Sequence, residues 1–249
     1  ILEKQYVNFN GLNLSFESLD GIVKHNGPII SGQSETKLFW DQNIALGDLT
    51  LFPSLEAQVA SLSDDIAYCS HDIADGYRAG ILSYNELKKS PFFGDFLSTN
   101  ETFENMEALS VSQGCRELIK YLVNDLINNS LKNINDVVIN TSNINLSNQI
   151  KFSVDASKKV VELKKYLFKN LYRSKEVNLI RNKAECIVRA LFKYYFNRLS
   201  DVPKHFLENS YYSKLKTSNQ KKLKIVGDFI ACMTDKEALE TFEEIRRLN

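Results

Sequence analysis

Turn formers are almost absent from most of this chain. Seven of its ten glycines fall within the first eighty residues, only Gly114 and Gly227 come after Gly94, and the prolines are Pro28, Pro53, Pro91 and Pro203. Stretches rich in Lys, Glu, Leu and Ala that run on without such breakers dictate helices through most of the second half. Strand signals are weak: the best, residues 136–140 (DVVIN), is too short and isolated to build a sheet. No internal repeat is present. The fold class expected is therefore all-α, and 249 residues leave ample length for a buried core, in one large domain or two small ones.

Periodicity and capping patterns predict a helix ending near Val7 and a short helix over about 15–25, then a Gly-, Asn- and Ser-rich loop to about Thr50. A long helix over about 53–79 follows, and Ser83-Tyr-Asn-Glu86 has the capping-box pattern of a short one. Another helix is expected over about 103–129. Residues 128–149 contain eight asparagines without apolar periodicity and read as an exposed, mobile loop. Helices are expected again over about 154–171, 175–199 and 220–233, with a polar connector at 211–219. A second capping box, Thr234-Asp-Lys-Glu237, opens a terminal helix.

A hydrophobic fraction of 43% and a charged fraction of 25% exclude wholesale disorder. No run approaches the ~18 apolar residues of a membrane span, so no membrane partner is expected. The first ten residues carry charges and no apolar block, which argues against a signal peptide. The first residue is Ile, so the chain is read as beginning inside a longer protein. Cys69, Cys115, Cys186 and Cys232 are widely dispersed with no CxxC pair; they are read as reduced, buried thiols, and the default location as cytoplasmic. Lys+Arg and Asp+Glu number 31 each, but residues 158–224 hold eighteen Lys/Arg against five Asp/Glu, a balance of +13 that the remainder offsets with −13. Such polarity fits contact with phosphates, with the acidic half of the same fold, or simply a solvated helical face.

The predicted helix over 53–80 is the most informative element. At 100° per residue Leu55, Val59, Leu62, Ile66, Cys69, Ile73 and Tyr77 form one apolar stripe. With Asp64 at zero, Tyr68 lies at about +40°, His71 at about −20°, Asp72 at about +80° and Asp75 at about +20°. Three acids, a Tyr and a His thus share the face opposite the stripe. Any surface helix shows polar residues there, but stacked Asp residues repel one another and are poor helix formers. They make sense if a cation or a ligand's hydroxyls offset the repulsion.

The run Asp64-Asp-Ile-Ala-Tyr-Cys-Ser-His-Asp-Ile-Ala-Asp-Gly-Tyr-Arg-Ala-Gly80, preceded by Glu56-Ala-Gln-Val59, resembles the last metal-ligand helix of the bacterial HD-domain dNTP triphosphohydrolases, the dGTPase-like proteins. Further blocks are similar in family order: Gly11-Leu-Asn-Leu-Ser15 with Leu19-Asp-Gly-Ile-Val-Lys-His-Asn-Gly-Pro28, Leu171-Tyr-Arg173 before a basic helix, and Val226-Gly-Asp-Phe-Ile-Ala-Cys-Met-Thr-Asp235. The resemblance implies an HD-domain-like helical bundle with a helical C-terminal extension, the N-terminal part of the HD core being absent. It divides the chain into an HD-type portion, 1–100, and a helical C-terminal region, 101–249, packed as one globular unit. The activity implied is metal-dependent hydrolysis of dGTP or another dNTP to deoxynucleoside and triphosphate.

By the same resemblance, Asp64 corresponds to the final ligand of a divalent ion such as Mg or Mn, and Tyr68 and Asp72 to contacts on the nucleotide sugar: the ring against deoxyribose, the carboxylate on its 3′-hydroxyl. Arg173 corresponds to a phosphate contact, although Ser174 stands where the family often has His; Lys175, Arg181 and Lys183 are weaker phosphate candidates. His71-Asp72 is not the metal-binding His-Asp pair, which lies upstream in the family, and His71 is expected to support the site or the fold. His25 reads as a loop or helix-end residue and His205 as structural or exposed. Three of the four metal ligands are then missing, no further catalytic residue is assigned, and the chain as given is expected to be inactive. Family members form homo-oligomers with regulatory nucleotide sites, so an allosteric nucleotide is another expected partner.

Two other readings stand beside this one. A basic nucleic-acid-binding helical protein would bind single-stranded DNA through 158–224, but Tyr166, Phe168, Phe192, Tyr194, Tyr195 and Phe196 look more like core than a stacking platform. Another HD-type phosphohydrolase would act on monophosphates or regulatory nucleotides.

Overall fold

Serine hydroxyls start the helices. Ser15, Ser54, Ser83, Ser153 and Ser174 each accept a hydrogen bond, at 3.2–3.3 Å, from the backbone N–H three residues on. Each satisfies one of the donors that a helix N-terminus leaves over. The helices so capped are α1 (Phe16–Val23), α2 (Leu55–Arg78), α3 (Tyr84–Lys88), α5 (Val154–Leu167) and α6 (Lys175–Asn197). Between them lies α4 (Glu107–Asn140), and after them come α7 (Lys204–Leu207), α8 (Ser218–Ala231) and α9 (Asp235–Leu248). The structure is a computed structural model and describes residues 14–29, 48–97, 106–140, 148–207 and 218–248. The helix predicted to end near Val7, most of the loop before Thr50 and most of the 211–219 connector lie outside those residues. No strand occurs among the described residues, and the fold is all-α. Both capping boxes are present: Glu86 and Glu237 reach back to the N–H groups of Ser83 and Thr234 at 2.8 Å.

The chain separates into two compact units, Ile1–Leu171 and Tyr172–Asn249. The cause is α4, which packs along α2 and against the short turn Phe93–Phe96 and so belongs with the first hundred residues. In the first unit Ile66, Cys69 and Ile73 of α2 meet Leu118 and Leu122 of α4 and Leu163 of α5 in one core. Gly76 lets Leu82 and Leu171 close on α2: a Cβ there would stand 2.8 Å from Leu82 Cδ1 and 3.0 Å from Leu171 Cδ1. In the second unit Ile187, Leu191 and Tyr195 of α6 pack on Ile225 and Val226 of α8 and Ile245 of α9.

Several expectations are corrected. Residues 128–140 are helix, not loop, because their polar side chains hold the returning chain. Asn129 Nδ2 donates to the Lys151 carbonyl at 2.9 Å, Asn133 Nδ2 to the Gln149 carbonyl at 3.0 Å, and Ser130 Oγ accepts from the Lys151 N–H at 3.2 Å. The helix predicted to reach residue 171 ends at Leu167 and passes into a π-helical turn, Phe168–Tyr172. Val59 is 44% exposed and stands outside the core stripe, since buried Gln58 faces the chain at this end of α2. Phe168 is 52% exposed, unlike the buried Tyr195.

The cysteines divide as well. Cys69 and Cys115 are buried, with Cys115 Sγ 3.5 Å from the Ser70 carbonyl, whereas Cys186 and Cys232 are exposed; all four are free. Burial pushes the Cys69 thiol up to about 11 and raises that of Cys115. The thiolate is the reactive form. A disulfide reagent at pH 8 is therefore expected to label Cys186 and Cys232 within minutes, and Cys69 and Cys115 only after denaturant, as read by mass spectrometry of the labelled peptides.

Candidate functional site

One helix, α2, carries the residues that the sequence singled out in the first unit. In α2 the apolar stripe turns one side into the core and leaves the opposite face to solvent. Tyr68 is 58% exposed, Asp64 and His71 are exposed, and Asp72 is half-buried. At 1.5 Å per residue, Tyr68 and Asp72 stand about 6 and 12 Å along the axis from Asp64. A carboxylate, a phenol ring and a second carboxylate therefore line one rigid face. That set can accept hydrogen bonds from hydroxyls, carry an apolar ring contact and neutralise a cation.

The acids of α2 are not equivalent. Asp65 Oδ1 lies 2.7 Å from Lys164 Nζ of α5, and Asp75 Oδ1 accepts from Arg78 at 2.6 Å. Arg78 offsets part of the repulsion that stacking Asp75 with the other acids implied. Asp64 instead meets a residue that the sequence reading set aside: His25 Nε2 is 3.4 Å from Asp64 Oδ2, across 39 positions of chain.

His25 reaches Asp64 because α1 is seated on α2. A Cβ on Gly21 would stand 2.9 Å from Ala57 Cβ, so the α1 backbone comes close to α2 at this point. At the end of α1, Lys24 Nζ lies 2.8 Å from Asp20 Oδ1, and both residues are buried. The contact is ionic and lies outside hydrogen-bond geometry, leaving Oδ1 with no hydrogen bond. Gly27, at φ +97° and with its N–H on the Lys24 carbonyl at 2.8 Å, then turns the chain away. A signal for His25 existed in the Lys-His-Asn-Gly-Pro block, but nothing local to it named Asp64 as its neighbour.

A divalent ion takes four or more donors. His25 and Asp64 offer two, and no group of three or more His, Cys, Asp or Glu suited to a metal occurs among the described residues. The described residues do not by themselves make a metal centre.

Arg173 lies in the second unit, where its carbonyl accepts from Asn178 Nδ2 at 2.9 Å. It directly precedes Ser174, whose hydroxyl caps α6; that is the structural use of the serine at this position. Lys175, Arg181 and Lys183 are exposed along the first turns of α6, and Arg181 donates to the Asn178 side chain. His205 is exposed, its ring 4.7 Å from that of Phe206. A cleft of about 670 Å³ lined by Asp95, Ser110, Gln113 and Arg116, among others, contains none of the residues singled out from the sequence.

Residues 150–244 match the family described as a phosphohydrolase-associated domain. Over 245 residues the chain is 35% identical to a deoxyguanosinetriphosphate triphosphohydrolase-like protein of Neorickettsia sennetsu, covering 95% of this chain and 62% of that protein. It is 34% identical to proteins of the same description from Rickettsia felis and Rickettsia peacockii, covering 100% and 98% of this chain and 65% and 64% of theirs. The chain thus spans under two thirds of the length of these relatives.

Proposed function

The chain belongs with the deoxyguanosinetriphosphate triphosphohydrolase-like proteins over nearly its whole length, and on that footing we propose that the protein of which it is part hydrolyses a deoxynucleoside triphosphate to deoxynucleoside and triphosphate. The observation that carries the reading is the exposed face of α2, where Asp64, Tyr68 and Asp72 follow one another at single turns on a helix fixed in the core. In this reading the Tyr68 ring packs on the deoxyribose and the Asp72 carboxylate accepts from its 3′-hydroxyl. Asp64 would be one donor to a divalent ion, whose further ligands the described residues do not supply. Arg173, in the second unit, is proposed separately as a phosphate contact, for which a guanidinium fork beside a helix N-terminus is chemically suited.

A nucleic-acid-binding role is less well supported. Most of the rings it would need for base stacking face other rings: Tyr195 is buried against Phe229 at 4.9 Å between centroids and Phe192 stacks on Phe196 at 5.9 Å, while Phe168 is exposed. The test is product identity. Full-length protein with Mg or Mn and each dNTP is expected to release inorganic triphosphate, resolved from pyrophosphate by phosphorus NMR; pyrophosphate as the product overturns the assignment.

A further inference from the structure

We propose that Lys164 and Phe168 at the end of α5 form a second wall of the α2 site, the ammonium meeting the phosphates of the nucleotide and the ring meeting its base. The inference rests on the reading of Tyr68 and Asp72 as sugar contacts and adds to it residues from a different helix. α5 runs beside α2 in the same direction: Lys164 Nζ lies 2.7 Å from Asp65 Oδ1, and further along both elements Leu171 Cδ1 would stand 3.0 Å from a Cβ on Gly76. Leu163 and Leu167 turn into the core. The adjoining row, Lys164 with Phe168 one turn (about 6 Å) beyond it, therefore borders the polar face of α2, and Phe168 stands beside the Tyr68–Asp72 stretch. Both side chains reach solvent there, Lys164 at 45% and Phe168 at 52% exposure. The Cys69 thiol, raised first by its burial, is lowered by Lys164 and raised by Asp65 and Asp72, so these three charges surround one sulfur next to Tyr68. An ammonium has three donors, and one on Asp65 leaves two for an anion. With Tyr68 and Asp72 on the sugar, the phosphates run toward the Asp64–Asp65 end, where the cation is. The ring, further along, falls beside the nucleoside, and any base offers it a face to stack on.

The experiment measures, in the full-length protein, inhibition of dNTP hydrolysis by each product separately: inorganic triphosphate and the matching deoxynucleoside. Lys164→Ala is expected to weaken inhibition by triphosphate about tenfold or more, the loss of a charge-assisted hydrogen bond, and Lys164→Arg to recover most of it. Inhibition by the deoxynucleoside stays close to that of the parent. Phe168→Ala is expected to do the reverse, weakening the deoxynucleoside about tenfold and sparing triphosphate, with Phe168→Tyr close to the parent. Opposite effects on the two products are something that a general loss of folding does not produce. Asp65→Ala breaks the same ion pair but keeps the cation, and is expected to weaken triphosphate by less than about threefold, since an exposed pair is worth little in itself. Triphosphate inhibition that Lys164→Ala leaves intact, or deoxynucleoside inhibition that Phe168→Ala leaves intact, overturns the proposal alone. Equal losses in Asp65→Ala and Lys164→Ala make the pair a structural brace, which also overturns it, as does a parent that neither product inhibits. Absence of dNTP hydrolysis by the parent overturns the functional reading, and this proposal with it.

Discussion

Replacing Asp64 by Ala is expected to lower dNTP hydrolysis by the full-length protein about 10³-fold while leaving its fold intact. A divalent ion contributes several kcal/mol of charge stabilisation to phosphoryl chemistry, and about 4 kcal/mol corresponds to roughly 10³ in rate. The fold should not notice, because the Asp64 side chain is half-exposed and its ion-pair partner among the described residues, His25, is half-exposed too. A surface change of this kind alters stability by no more than about 0.5 kcal/mol. Asp64→Asn keeps the shape, removes the charge and should be nearly as inactive. Two neighbours serve as controls with opposite logic. Asp75→Ala removes a carboxylate of the same helix that is ion-paired at the surface with Arg78, and activity should stay within about twofold of the parent, since exposed pairs are worth about 0–1 kcal/mol. Tyr68→Ala removes the ring proposed to lie on the sugar, so its loss should fall mainly on KM. Activity within tenfold of the parent for Asp64→Ala, at an unchanged melting temperature, sinks the assignment of Asp64.

What the sequence made legible and what it hid follow from one physical distinction. Helix starts are encoded within four residues, so Ser83–Glu86 and Thr234–Glu237 could be read directly and are present as capping boxes. The shared face of Asp64, Tyr68 and Asp72 was legible for the same reason: once 53–80 is helix, the 3.6-residue period fixes which side chains are neighbours. Several of the errors involve partners distant in the chain. Asparagines over 128–140 looked like loop because an Asn in mid-helix competes with its own backbone. Here Asn129 and Asn133 spend their amides on the carbonyls of Lys151 and Gln149, 22 and 16 residues on, and the cost to the helix is offset. Val59 fitted the stripe by period, yet it is Gln58 that faces the returning chain, 91 residues on, and Val59 is left exposed. His25 lies 39 residues from Asp64, a proximity that exists only because α1 seats on α2 at Gly21. Arg173 was singled out by its block; it lies near the start of the second compact unit, a division that periodicity does not reveal.

Gln58→Leu is expected to destabilise the first unit by about 2–5 kcal/mol, the largest stability effect of any single polar change considered. The side chain is 5% exposed and sits at the start of α2, where an apolar residue would have been the ordinary choice. It remains polar because the chain returning after α4 brings two N–H groups to it. Oε1 accepts from Gln149 N and Ile150 N, each at 3.2 Å, while Nε2 donates to the Pro53 carbonyl at 2.9 Å. Leucine has nearly the same volume and opens no cavity, so the loss is that of the unsatisfied groups. Each buried donor left without a partner costs about 1–3 kcal/mol, and two are left, with the Pro53 carbonyl besides. Urea unfolding should therefore show a lower midpoint at an unchanged slope. Val59→Ala, one residue along and 44% exposed, should shift stability by no more than about 0.5 kcal/mol. The 149–151 segment is also gripped by Asn133 and Ser130, so Gln58→Leu and Asn133→Ala share a target and should not add: once one has released the segment, less is left for the other to lose. A double mutant whose loss equals the sum of the singles, or a Gln58→Leu loss no greater than that of Val59→Ala, excludes Gln58 as the clamp on this segment. The consequence reaches the site, because the same turns of α2 that Gln58 anchors carry Ala57, the seat of α1, and through α1 the placement of His25 against Asp64.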